Sequence, residues 1–269
     1  MEVNTILLLC FAAATLAQPK AAPAPRKIQA LIITGRDDHD WRGTTAAMRQ
    51  HLDDAGIFEV RTTEEFRDAG PQALAPYDVA VLVYNDKDPA DRWTDRSRQA
   101  LLGFVEGGKG LVVYHHSSGA FHDWPAYPRL CGGNYYGGAH HAPIHDFTVE
   151  FTDREHPITR GLKKSFLQAH DELYANMQMQ PPGSYHVLAT AWDDHTLYEG
   201  KSRVPLVGSG SNEPLLWTVQ AGVGRVFATM IGHSANAARS PGFQITFVRG
   251  VEWAATGKVT IPPPPELAQ

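Results

Sequence analysis

Five short segments concentrate the side chains that can move protons or hold a metal ion, and they draw on an unusual supply of 13 histidines. Residues 35–43 (GRDDHDWRG) set His39 among charges and beside Trp41, whose indole is an apolar plate of the kind sugar rings stack on. His115 and His116 are adjacent, with Ser117, Ser118 and Gly119 next and Trp124 and Tyr127 just beyond. Two neighbouring imidazoles suit metal ligation or general acid–base work, because a neutral ring offers a lone pair near physiological pH. Residues 137–145 (GGAHHAPIH) bring His140, His141 and His145 onto one glycine-rich loop, where each would need a hydrogen-bond partner if buried. His170, Asp171 and Glu172 run up to the ring of Tyr174, and His233 stands between Gly232 and Ser234. Each segment also has a plainer reading, as a solvated loop, a capped turn or a packed aromatic. Those readings stay open at this point.

These segments follow strands. Residues 28–34 (IQALIIT), 79–84 (VAVLVY) and 111–114 are short apolar runs, and 58–62 is a further short strand. Residues 44–55 read as a helix with Thr44 as N-cap, Met48 and Leu52 on its apolar face and Gly56 as its stop. A second helix over 95–106 ends at Gly107-Gly108. Strands alternating with helices predict a parallel sheet covered on both faces, whose ligands sit outside the carboxyl ends of its strands. The second half is richer in strands, at 147–151, 185–191, 215–219 and 225–231, with a hairpin turn at 221–224. A closing helix over 243–256 stacks Phe243, Phe247, Val251 and Ala254 on one face.

The ends read differently. Residues 6–16 are apolar but too short to span a bilayer, and Thr15 and Ala17 stand at signal-peptidase spacing. Residues 1–17 are therefore expected to be a signal peptide, although Glu2 stands where a basic residue is usual. Leu9 before Cys10 speaks against a lipid anchor. Residues 18–26 form a Pro/Ala linker, 27–260 a single domain, and 261–269 a Pro-rich tail expected to be disordered or extended. The mature protein would be periplasmic or extracellular, with Cys131 as its one thiol. A lone thiol excludes an internal disulfide and a zinc site built from several thiolates. A net charge of −5 without any Lys/Arg block argues against nucleic acid or a membrane surface as partner.

The segments GRDDHDWRGTT (35–45), VVYHHSSGAF (112–121), HPITRGL (156–162) with HDELY (170–174), and GRVFATMIGHS (224–234) resemble, in order, those that mark the ThuA-like (trehalose-utilisation) domain family. The resemblance covers residues 28–256. It implies the flavodoxin-like, three-layer α/β fold of the class I glutamine amidotransferase-like superfamily, with a mostly parallel central sheet, helices on both faces and additional strands in the second half. It also implies loss of that superfamily's Cys-His-Glu triad, since His115 and His116 occupy the elbow region and Cys131 lies well downstream. Members are associated with trehalose and related disaccharides, through 3-keto sugars.

Two functions of different kind follow. The first is an enzyme acting on an oxidised glycoside, in which a C3 ketone acidifies the C2 proton and lets a base expel the C1 substituent. His116, His170, Asp171 and Glu172 are its candidate catalytic groups. His115, His140, His141 and His233 are candidate ligands of a divalent metal. His39, Trp41, Trp124, Tyr127 and Tyr174 would bind the sugar. No nucleotide cofactor is indicated. Ser117 or Ser118 as nucleophile is a weak reading, because the glycine two positions earlier that such an elbow carries is missing. The second function is a non-catalytic carbohydrate-binding module that uses the same aromatic residues as platforms. The density of titratable groups at strand ends favours the enzyme.

Overall fold

The computed structural model describes residues 1, 26–37, 39–198 and 207–269. Apart from Met1 and Arg26, the expected signal peptide and linker lie outside the described residues. In chain order the elements are β1 (Ile28–Ile33), α1 (Trp41–Asp54), β2 (Phe58–Thr63), β3 (Val79–Leu82), α2 (Asp95–Glu106), β4 (Gly110–Tyr114) and α3 (Tyr127–Cys131). Then come β5 (Gly133–Asn134), β6 (His140–His141), β7 (His145–Phe151), β8 (Ser165–Asp171), β9 (Tyr174–Ala175) and β10 (Gln178–Met179). β11 (His186–Trp192), β12 (Asn212–Ala221), β13 (Gly224–Thr229) and α4 (Pro241–Thr256) complete the fold.

One nine-stranded sheet runs β2-β1-β3-β4-β13-β12-β11-β7-β8. From β2 to β13 every neighbouring pair is parallel. From β13 to β8 every pair is antiparallel. The expectation of a mostly parallel sheet is thus corrected to one divided in half. The reason is connection length: parallel neighbours need a crossover of a dozen or more residues, whereas β12 and β13 are joined by the tight turn at Gly222-Val223. β8 escaped the sequence reading because its burial alternates only irregularly, with two consecutive exposed residues before Asp171.

Helices cover both faces, as adjacent residues of β13 show. Gly224 lies against the carbonyl of Val105 in α2, while Arg225 hydrogen-bonds Trp253 and Ala254 of α4. Neighbours on a strand point to opposite faces, so α2 and α4 lie on opposite sides of the sheet. Phe227, on the α4 side, fits only because residue 250 is glycine: a Cβ there would stand 2.1 Å from the ring.

Two local expectations are corrected. The first helix starts at Trp41, not Thr44. Asp40 is the cap, accepting the Gly43 amide at 3.0 Å, and the Thr44 hydroxyl bonds back to Asp40 and Trp41 inside the first turn. The Pro-rich tail is tied to the domain. Lys163 donates its amide to Leu267, Gln269 donates to Gly161, and Leu162 bridges Ala268. Arg249 further holds the Ile261 carbonyl.

Candidate metal centre

The carboxyl ends of β1, β4, β8 and β13 meet at one place. β1 leads into the loop carrying Asp37 and His39, β4 into His115 and His116, β8 into Glu172, and β13 into Gly232 and His233. His115 has φ +40°, in the left-handed region that non-glycine residues rarely occupy. That conformation turns the chain sharply at the strand end and points the ring inward. The opposite wall is fixed by Asp171, whose carboxylate accepts the amides of Gly232 (2.6 Å), His233 (2.8 Å) and Glu172 (2.9 Å). Gly232 is required there: its φ is +104°, and a Cβ would stand 2.7 Å from the ring of Phe243.

Glu172 is the hub. Its Oε2 lies 3.0 Å from His233 Nδ1, 3.4 Å from His115 Nε2 and 3.9 Å from His39 Nε2, and its Oε1 lies 3.5 Å from His141 Nε2. The far nitrogens of three rings decide which atoms carry protons. His115 Nδ1 is 2.7 Å from the Met230 carbonyl, His141 Nδ1 is 2.8 Å from the Ala142 carbonyl, and His39 Nδ1 is 2.8 Å from Asp37 Oδ1. A carbonyl or an ionised carboxylate only accepts, so each Nδ1 must donate. Neutral rings of His115 and His141 then present bare Nε2 lone pairs to Glu172. Acceptors facing acceptors are unfavourable unless the rings become imidazolium or a cation lies between them. Full burial pushes His115 below its ordinary pKa and so resists the imidazolium.

Glu172 itself stays ionised. Burial works against its charge, but His115, His233 and His39 outweigh that and hold the carboxyl well below its usual range. Asp37 behaves alike: burial opposes its charge, and hydrogen bonds from His116 and His39 keep it ionised. Burial pushes His116 down to about 4 against the pull of Asp37, with which it pairs through Nε2.

Ligand atoms of His39, His115, Glu172 and His233 all lie within 4.8 Å of one another, and Asp37, His39 and His116 form a second such group. The first group fits a metal ion. The buried His115 Nε2 and His233 Nδ1 have no hydrogen-bond partner, and the His115 and His39 rings are oriented from behind by a carbonyl and a carboxylate. Imidazoles with one carboxylate suit a first-row divalent ion such as zinc, iron, nickel or manganese rather than calcium or magnesium.

The family model for ThuA, described as trehalose utilisation, matches residues 29–254. The chain belongs to the ThuA family. A ThuA-like protein from Parabacteroides merdae shares 30% identity and a TM-score of 0.78, over 90% of this chain and 95% of its own. A second, from Bacteroides uniformis, shares 20% identity and a TM-score of 0.69, over 91% and 97% of the two chains. A β-galactosidase from Bacillus circulans shares the fold alone, at 13% identity and a TM-score of 0.51, over 88% of this chain and 32% of its own. No curated protein matches the sequence.

In this ThuA-family fold the sequence-derived candidates scatter. His115 and His233, read from the sequence as candidate ligands, lie together with His39, a substrate-binding candidate, and Glu172, a catalytic one. His141 faces the cluster from β6, but its neighbour His140 faces the other way and packs against Tyr198, because successive residues of a strand alternate. His170 is exposed, away from the cluster, for the same reason. Asp171 is wholly spent on backbone amides and Gln168, so it positions the site rather than entering it. Trp41, Trp124, Tyr127 and Tyr174 are buried and offer no ring face to a sugar. Trp41 lies under Arg42, Trp124 stacks on Tyr127, and Tyr174 backs His115 at 4.2 Å. The serine hydroxyls serve the backbone, Ser117 between Leu82 and Tyr84 and Ser118 on His115. Cys131 is buried, and burial pushes its thiol up to about 12. Asp37 escaped the sequence reading, which had no means to tell the buried aspartate from its neighbours in the run Asp37-Asp38-His39-Asp40. Its position two residues before a histidine, in an Asx turn onto the His39 amide, is the available signal.

Proposed function

We propose that this protein is an exported, metal-dependent enzyme that cleaves or transforms a small oxidised carbohydrate, of the trehalose-like or 3-keto glycoside class. The observation that carries this is the convergence of His39, His115, His233 and Glu172 within 4.8 Å of one another, with the Nε2 lone pairs of His115 and His141 directed at the Glu172 carboxylate. His39, His115, His233 and Glu172 would hold the ion, which when bound supplies a Lewis acid for a ketone oxygen. Glu172, ionised and enclosed by imidazoles, is a poor base. That role passes to His141, whose side chain is the most exposed of the four histidines around Glu172 at 36% and whose Nε2 is kept bare by the bond from Nδ1 to Ala142. Nε2 takes the C2 proton of a 3-keto sugar. The electron pair left behind forms the enolate, then collapses into a C1–C2 double bond and expels the C1 oxygen, which receives the proton held on His141. Asp37 keeps His39 and His116 oriented throughout.

Burial of Trp41, Trp124, Tyr127 and Tyr174 favours this reading over a binding module that stacks sugars on those rings. Export rests on the character of residues 1–17; among the described residues no helix is long and apolar enough to cross a membrane. Elemental analysis of the purified protein, with and without chelator, alongside turnover of 3-keto-trehalose, tests the reading. The expected result is about one first-row metal per chain, lost with chelator together with turnover and restored by readdition. Protein that takes up no metal, or turns over equally without it, overturns the proposal.

A further inference from the structure

A groove of about 370 Å³ opens on the antiparallel half of the sheet. Trp192, the last residue of β11 and paired across the strands with Asn212, lines it. Trp192 is 54% exposed, and no other Phe, Trp or Tyr is exposed among the described residues. Around it stand Glu150, Asp146, Asp194 and His145, with no lysine or arginine in the lining. A flat apolar ring edged by carboxylates and an amide matches one ligand chemistry: the C–H face of a pyranose on the indole, with hydroxyls donating to the oxygens around it. Three carboxylates without a cation disfavour an anionic ligand.

Strand pairing and chain proximity tie the groove to the histidine cluster. His145 is the strand partner of Asp171, which directly precedes Glu172. His145 stands four positions after His141, whose ring faces Glu172, so the two lie within about 14 Å even for a fully extended chain. That is a distance two or three linked sugar rings can cover. We infer that this groove is a second sugar subsite, which holds an uncharged pyranose ring of the substrate while a neighbouring ring is presented to the cluster. The inference rests on the reading of the cluster as a sugar-acting site, and makes the substrate a neutral disaccharide or longer rather than a monosaccharide or a sugar phosphate.

Calorimetric titration of the full-length metal-loaded protein with trehalose and trehalose 6-phosphate tests this, using wild type, Trp192→Ala, Trp192→Phe and His115→Ala. Trehalose affinity should fall about tenfold or more in Trp192→Ala and be largely kept in Trp192→Phe, where an aromatic face remains. Metal content and melting temperature of both Trp192 variants should match wild type, since the side chain is half in solvent. Trehalose 6-phosphate should bind at least tenfold more weakly than trehalose. Equal trehalose affinity in wild type and Trp192→Ala, no binding of either sugar, or a Trp192-dependent dimer in solution overturns the subsite. Failure of the cluster reading looks different: trehalose binding then survives in His115→Ala and depends on Trp192, but no 3-keto sugar is turned over.

Discussion

At Glu172 the decisive physics is the direction of lone pairs. The rings of His115 and His141 are pinned from behind at Nδ1, so their Nε2 atoms converge on a carboxylate that cannot donate to them. Glu172→Gln removes the charge the ion would meet. Metal affinity should fall by at least the ~10–100-fold that the loss of an outer-shell partner costs, as measured by competition with a chromophoric chelator. Asp37→Asn should cost about 10–100-fold in the same assay, because Asp37 orients both His39 and His116. An affinity unchanged in Asp37→Asn would make that residue merely structural. The clustering of histidines was plain in the sequence, but the ligand set was not. His140 and His141 are adjacent in sequence and face opposite ways, while His39 and His233 are 194 positions apart, from 233 − 39, and share one carboxylate oxygen.

At the scale of elements, packing limits are set by small residues. Gly250 in α4 faces the Phe227 ring, and the Cβ of Gly250→Ala would stand 2.1 Å from it. Overpacking of this kind costs about 1–3 kcal/mol, which a thermal melt should read as a midpoint lowered by several degrees. His156 gives the turn before β8 a pH dependence. It accepts the Ile158 amide at Nδ1, which requires an unprotonated ring. Burial pushes its pKa down to about 4, with Asp153 opposing and His186 adding to the shift. The unfolded chain therefore binds the proton first. The stabilisation is present above the ordinary histidine pKa near 6.5 and is lost as pH falls from there toward 4. Solvent screening of this half-buried ring reduces it to about 1–2 kcal/mol. Urea unfolding at pH 7 and pH 4.5 should show that difference shrink in His156→Gln. Strand and helix identities along the first half were legible because they are long apolar or amphipathic runs. β8 was not, because its polar residues face inward to Gly232, His233 and Ala237 through Asp171 and Gln168.

For the whole molecule, the tail is the clearest departure from sequence expectation. Its prolines carry no amide, yet the residues after them close hydrogen bonds onto Gly161, Leu162 and Lys163, at the turn leading into β8. Removing residues 262–269 should cost about 1–3 kcal/mol in chemical denaturation, from bonds worth about 1 kcal/mol each. Metal content should be unaffected, because the tail does not contribute to the cluster. The sequence by itself determined the α/β class, the family, the crossover half of the sheet and the loops in which chemistry could occur. All of these follow from local periodicity or contiguous motifs. The tertiary structure alone decided which histidines meet, that Glu172 is their hub, that Trp41, Trp124, Tyr127 and Tyr174 are buried, and that Trp192 is exposed. Those depend on strand register and on which face of a strand each side chain takes, and a one-residue shift reverses that face without altering the motif.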